Sequence, residues 1–140
     1  MNIYVFGNVD FLFDSLPFRL LPALRKRFPH VTFEVKDSNE EWDIPDTLIM
    51  IDTVKGLGHV AEFSDLKNFS ESPRVSLHDF DIGSYLKYLK KLGKLKKIKI
   101  IGIPPMISEK KALEEVSVKI RSILREESAS RNSCKDHTPE

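Results

Sequence analysis

The chain has 140 residues, 41% of them hydrophobic, and its 22 basic and 21 acidic side chains leave a formal net charge of +1. That length supplies one domain able to bury about two thirds of its unfolded surface, and the near-neutral balance offers no general attraction to nucleic acid or to an anionic membrane. The single cysteine, Cys134, excludes an internal disulfide, no apolar run approaches the ~18 residues of a membrane span, and the opening residues lack a signal-peptide pattern, so a soluble, monomeric, cytoplasmic protein is expected.

Residues 2 to 6 are apolar and β-branched or aromatic without clean alternation, which predicts a buried parallel strand. It breaks at Gly7, where the backbone can be approached closely, and leads through Asn8 and a short run to Asp14. Open α/β sheets build their sites where such a strand gives way to a helix. From Ser15 to Phe28 the residues Leu16, Leu20, Leu21, Leu24 and Phe28 recur at helical spacing, and Arg25, Lys26 and Arg27 lie near the C-terminal end, where cations suit the helix dipole. Pro17 suits a first turn. Pro22 removes a hydrogen bond and crowds the preceding turn, so a kink or a late start is expected there.

Val31 to Val35 alternates apolar and polar residues, as a strand near a sheet edge does. Residues 37 to 45 form a polar connection. Leu48 to Ile51 is an uninterrupted apolar run, read as a central strand stopped by Asp52, and the glycine-rich stretch Lys55 to Gly58 is a loop. His59 to Phe63 suits a short extra strand at the sheet margin, and Val75 to Leu77 is again strand-like, ending before His78. From Asp81 the residues Ile82, Tyr85, Leu86, Leu89 and Leu92 mark a helix that Gly93 stops. Ile98 to Ile103 is a further buried strand. Ser108 caps a last helix along Leu113, Val116, Ile120, Ile123 and Leu124, after which residues 128–140 read as a disordered polar tail, leaving one domain over residues 1–127. Strands separated by helices predict an α/β three-layer sandwich: a mostly parallel, twisted sheet of about five strands covered by helices on both faces.

Asp14, Asp52 and His78 each follow an apolar strand or its loop. Two carboxylates and an imidazole form a three-donor set for a divalent first-row ion, with positions left open for water or a substrate. Each residue also has a structural reading: Asp14 as the cap of the first helix, Asp52 in a polar turn, and His78 capping the helix from Asp81. A phosphate-accepting receiver module would also place an acid at Asp52, but it needs an acid pair where Gly7 and Asn8 stand and a lysine where Ile103 and Pro104 stand. No nucleophile-elbow motif supports serine or cysteine chemistry.

These pieces resemble a family. Phe6, Gly7, Asn8, five further residues and Asp14 look like the opening motif of the nickel-iron hydrogenase maturation endopeptidases. Ile51, Asp52, Thr53 and Val54 resemble that family's strand-ending aspartate motif. Ser76, Leu77, His78 and Asp79 resemble its histidine motif, and Ile100 to Pro104 its last strand. The likeness runs from residue 2 to about residue 125; it departs at Phe13 and Ser15, which flank Asp14 where the family often has paired acids followed by glycine. The resemblance implies a phosphorylase/hydrolase-like fold and a metal-dependent protease that removes the C-terminal extension of the hydrogenase large-subunit precursor after nickel insertion. It further implies Asp14, Asp52 and His78 as catalytic residues and nickel ligands, with Gly7 and Asn8 against the substrate. The trio would either read nickel already held by the precursor or polarise the scissile carbonyl and activate water. A non-catalytic metal-sensing or scaffold protein on the same fold is the alternative.

Overall fold

A computed structural model describes residues 1–6, 15–36, 45–54, 57–64, 90–94 and 96–136, with side chains through residue 129. Its elements are β1 (Asn2–Val5), α1 (Leu16–Arg27), β2 (Thr32–Val35), β3 (Thr47–Thr53), β4 (Ala61–Phe63), β5 (Lys97–Ile103) and α2 (Glu109–Asp136). The five strands form one sheet in the order β2-β1-β3-β5-β4. All neighbours run parallel except β4, which pairs antiparallel with β5. The α/β fold with a mostly parallel sheet is therefore as expected from the alternation of elements. β2 lies at one edge, as its alternating pattern predicts, and the fully apolar β3 lies at the centre.

Helix α1 begins at Leu16 with Ser15 in the N-cap position and runs through Pro22 to Arg27, so no late start occurs. Pro22 is exposed, while Leu20, Leu21 and Leu24 around it are buried. Full burial of each leucine is worth roughly 1.5–3 kcal/mol, against a cost of about 3 kcal/mol for an interior proline. Packing outweighs the break, and the weakened turn faces water.

Strand β3 extends beyond the apolar run: Asp52 and Thr53 are its last residues, in register with Gly102 and Ile103 of β5. Asp52 therefore belongs to the ladder, because its pairing partner continues where its own apolar run stops. The last helix also outlasts its apolar positions. It runs to Asp136, nine residues into the stretch from Ser128 that composition reads as a disordered tail. That stretch contains neither glycine nor proline before Pro139, and a helix already anchored by Val116, Ile120 and Ile123 extends at little cost per residue.

Two apolar layers flank the sheet. On one face Ile3, Val5, Phe33, Ile49, Ile51, Ile101 and Ile103 pack with both α1 and α2. On the other Tyr4, Phe6, Leu48, Met50, Val54, Ile98 and Ile100 are buried, with Leu57 and Phe63 packed against them. The helix from Asp81 lies outside the described residues except for its end. There Lys90 and Lys91 are helical, and Gly93, at φ +74°, donates its N–H to the Lys90 carbonyl. A left-handed residue closing a helix is the stop expected of glycine at that position. The strand at Val75 to Leu77 also lies outside the described residues, as does most of the polar connection from Asp37.

Candidate functional site

The strand order sets where a ligand belongs. The chain passes from β1 outward to β2 and then returns to the other side of β1 with β3, so the order reverses between β1 and β3. In open α/β sheets the crevice beyond the strand ends at such a reversal is the binding position. Val5 is in register with Ile51, and the next residue, Phe6, donates its N–H to the Ile51 carbonyl at 2.9 Å. Phe6 thus lies beside the end of β3 that leads to Asp52.

Asp52 is fully buried, 0% exposed. By strand alternation its side chain lies on the face of Met50 and Val54, and its in-register neighbour across β5, Gly102, carries no side chain. Its Oδ1 accepts the backbone N–H of Thr53 at 2.8 Å, which fixes the carboxylate against the strand tip. A carboxylate oxygen at this position is a donor of the kind that suits a first-row ion.

Of the other residues singled out, Asp14, His78, Gly7 and Asn8 lie outside the described residues. The described chain resumes at Ser15, immediately after Asp14, and the N-cap of α1 falls on Ser15. Among the described residues no three His, Cys, Asp or Glu side chains are grouped so as to hold a metal. The far side of the crevice is built by β5 and the turn after it. Pro104 is buried, Met106 is 78% exposed, and Ser108 accepts the N–H of Lys111 on its Oγ at 3.2 Å, the cap expected for the last helix.

Two contributors escape sequence reasoning. A Cβ on Gly102 would meet Val54 Cγ2 at 2.9 Å and Leu57 Cδ1 and Phe63 Cε2 at 3.1 Å, so glycine is what lets these side chains close over the strand beside Asp52. A glycine inside a strand is the signal for such close approach. Thr53 is the second: it is 5% exposed at the same strand end. A cavity of about 320 Å³ lined by Met1, Asn2, Pro45, Thr47, Ile49 and Glu127 opens at the opposite, N-terminal ends of the strands and is separate from this crevice.

No protein-family model matches the chain, and no curated protein matches it. Among the solved structures similar to it are three named as endopeptidases or maturation proteases. The hydrogenase maturating endopeptidase HybD from E. coli has 19% identity and a TM-score of 0.58, over 87% of this chain and 93% of that one. An endopeptidase from Escherichia coli solved in solution has 21% identity and a TM-score of 0.59, over 87% and 93%. The hydrogenase 3 maturation protease has 18% identity and a TM-score of 0.55, over 83% and 86%. The chain has the α/β fold of the hydrogenase maturation endopeptidases, the family that its motifs resemble.

Proposed function

We propose that this protein is a metal-dependent endopeptidase that removes the C-terminal extension of a nickel-iron hydrogenase large-subunit precursor once nickel is inserted. The observation that supports this reading is a fully buried carboxylate, Asp52, at the strand-order reversal of a sheet with the maturation-endopeptidase fold. Asp14, Asp52 and His78 act as the catalytic trio and would hold nickel, which the precursor itself brings to the site. When bound, the ion supplies a positive charge that polarises a carbonyl oxygen. The chain's own part is to fix a negative oxygen at the rim: the Thr53 N–H orients Asp52, and apolar Phe6, Met50 and Val54 on the same face exclude water and strengthen the attraction between carboxylate and ion. Gly7 and Asn8 line the substrate path. The protein works as a monomer in the cytoplasm, where its precursor is assembled.

The test incubates purified protein with nickel-loaded precursor and follows loss of the C-terminal extension by mass. Asp52→Asn keeps an acceptor for the Thr53 N–H and removes the charge, so it should abolish processing while leaving the fold intact; Asp14→Ala and His78→Ala should do the same. Undiminished processing in any one variant removes that residue from the trio. No cleavage of a confirmed loaded precursor by the wild type transfers the reading to the metal-sensing or scaffold alternative.

A further inference from the structure

One corner of the molecule, at the N-terminal ends of β3 and β5, carries charge of a single sign. Lys90 and Lys91 are the last helical residues before Gly93, Lys94 and Lys96 follow the turn, and Lys97 opens β5; all of these lysines are exposed. Lys97 is in register with Thr47 at the start of β3, whereas Gly102 is in register with Asp52 at its end. Five residues of strand, about 17 Å at a rise of about 3.3 Å each, therefore separate this corner from the candidate site.

The acids described at this end leave most of that charge uncompensated. Asp46 is 3.9 Å from the Lys96 ammonium, with both side chains exposed. Glu127 lies on the cavity that Thr47 also lines, and Glu126 is held by Lys99. Lys90, Lys91, Lys94 and Lys97 form no ion pair among the described residues. Solvated surfaces ordinarily intersperse the two signs. The 22 basic and 21 acidic residues that cancel over the whole chain thus hide a local separation.

Leu92 is the second observation. It is 50% exposed, between Lys91 and Gly93, and a Cβ on Gly93 would meet nothing within 4 Å, so the turn is open on that side. Residues 90–97 contain neither arginine nor an aromatic residue. The planar fork that recognises a single phosphate or carboxylate is absent from this stretch, as are the rings on which nucleobases stack. Flexible lysines beside an exposed aliphatic side chain suit a diffuse layer of negative charge over hydrocarbon.

We propose that this corner binds reversibly to an anionic phospholipid surface, with Lys90, Lys91, Lys94 and Lys97 at the headgroups and Leu92 entering the apolar boundary beneath them. The protein then rests on the membrane by the end opposite Asp52, which leaves the crevice free for a macromolecular substrate. The inference does not depend on the metal reading, because the residues it uses lie at the other end of the strands.

The experiment measures co-sedimentation of the full-length protein with vesicles of phosphatidylcholine alone and of phosphatidylcholine mixed with phosphatidylglycerol. Binding is expected to the mixed vesicles and not to the neutral ones. Raising the salt from about 0.1 M to about 1 M, which shortens the screening length from about 10 Å to about 3 Å, should release the protein. Each lysine near an anionic surface contributes about fivefold in partitioning, so Lys90→Gln, Lys91→Gln and Lys94→Gln combined should weaken binding by about 100-fold. Leu92→Ser should weaken it by about threefold to tenfold, from the half of a leucine side chain that leaves water. These positions are exposed, so both variants should keep a thermal midpoint close to that of the wild type. A wild type that ignores the mixed vesicles overturns the inference, as does undiminished binding by either variant. Tighter wild-type binding to polyuridylate than to mixed vesicles of equal anionic charge assigns the corner to nucleic acid and overturns it as well.

Discussion

Replacing Gly102 by alanine probes the tightest point beside Asp52. Gly102 does not adopt the left-handed backbone, since among the described residues Gly93 has the positive φ, so the only obstacle is space. The new methyl would lie 2.9 Å from Val54 Cγ2 and 3.1 Å from two further side chains. Leu57 and Phe63 are only partly buried, but Val54 is fully buried and β-branched, with its N–H tied to the Ile103 carbonyl at 2.9 Å, and it has little room to yield. Relief from glycine's conformational entropy in a strand favours alanine by roughly 0.5–1 kcal/mol, whereas overpacking a close-fitted core costs about 1–3 kcal/mol. The net expectation is a loss of about 1–2 kcal/mol, seen as a fall of roughly 3–8 °C in the thermal midpoint of a chain this size. Adding Val54→Ala removes the nearest atom, so the double variant should be more stable than the sum of the single changes by about 1 kcal/mol in urea unfolding. A Gly102→Ala protein that melts at or above the wild-type temperature would refute the packing role assigned to this glycine.

Three other outcomes follow from the packing. Lys99 is buried on β5, where its ammonium pairs with Glu126 of α2 and lies 4.0 Å from Glu62 of β4; Lys99→Met leaves Glu62 without its cation and should cost about 1–3 kcal/mol in urea unfolding, while Lys99→Met with Glu62→Gln should recover more than half of that. Pro22→Ala restores a hydrogen bond on the exposed face of α1 and should raise stability by about 1–2 kcal/mol, less than the full cost of an interior proline because the unfolded chain also gains freedom; a lowered midpoint would show that α1 needs the bend. The Arg27 guanidinium, 2.8 Å from Glu114, hydrogen-bonds to that carboxyl and attracts its charge, holding it below its ordinary value of 4.5. A carboxylate shifted down contributes stability above its unfolded value and loses it as pH falls through the folded one. Glu114→Gln should therefore narrow the stability difference between neutral pH and pH below about 4.5, by a small amount because the pair is exposed; an unchanged acid dependence of the unfolding midpoint would discount the pair.

Much of the framework is legible in local pattern. Leucines at helical spacing bounded by Ser15 and Phe28 define α1, Ser108 marks the start of α2, Gly93 ends a helix, and the unbroken apolar run of β3 against the alternation of β2 separates the centre of the sheet from its edge. These features depend on neighbours a few residues apart, which is why sequence alone determines them, along with the presence of an acid at the end of the central strand. Tertiary structure decided the rest. It carried β3 through Asp52 and Thr53 because β5 supplies partners there, turned β4 antiparallel at the margin, and set α1 and α2 on the same face. It also buried Lys99 beneath Glu126 and made Gly102 the space into which Val54 closes. Register and burial are settled by pairing between segments remote in the chain, and no local period encodes which carboxylate or hydroxyl ends up enclosed.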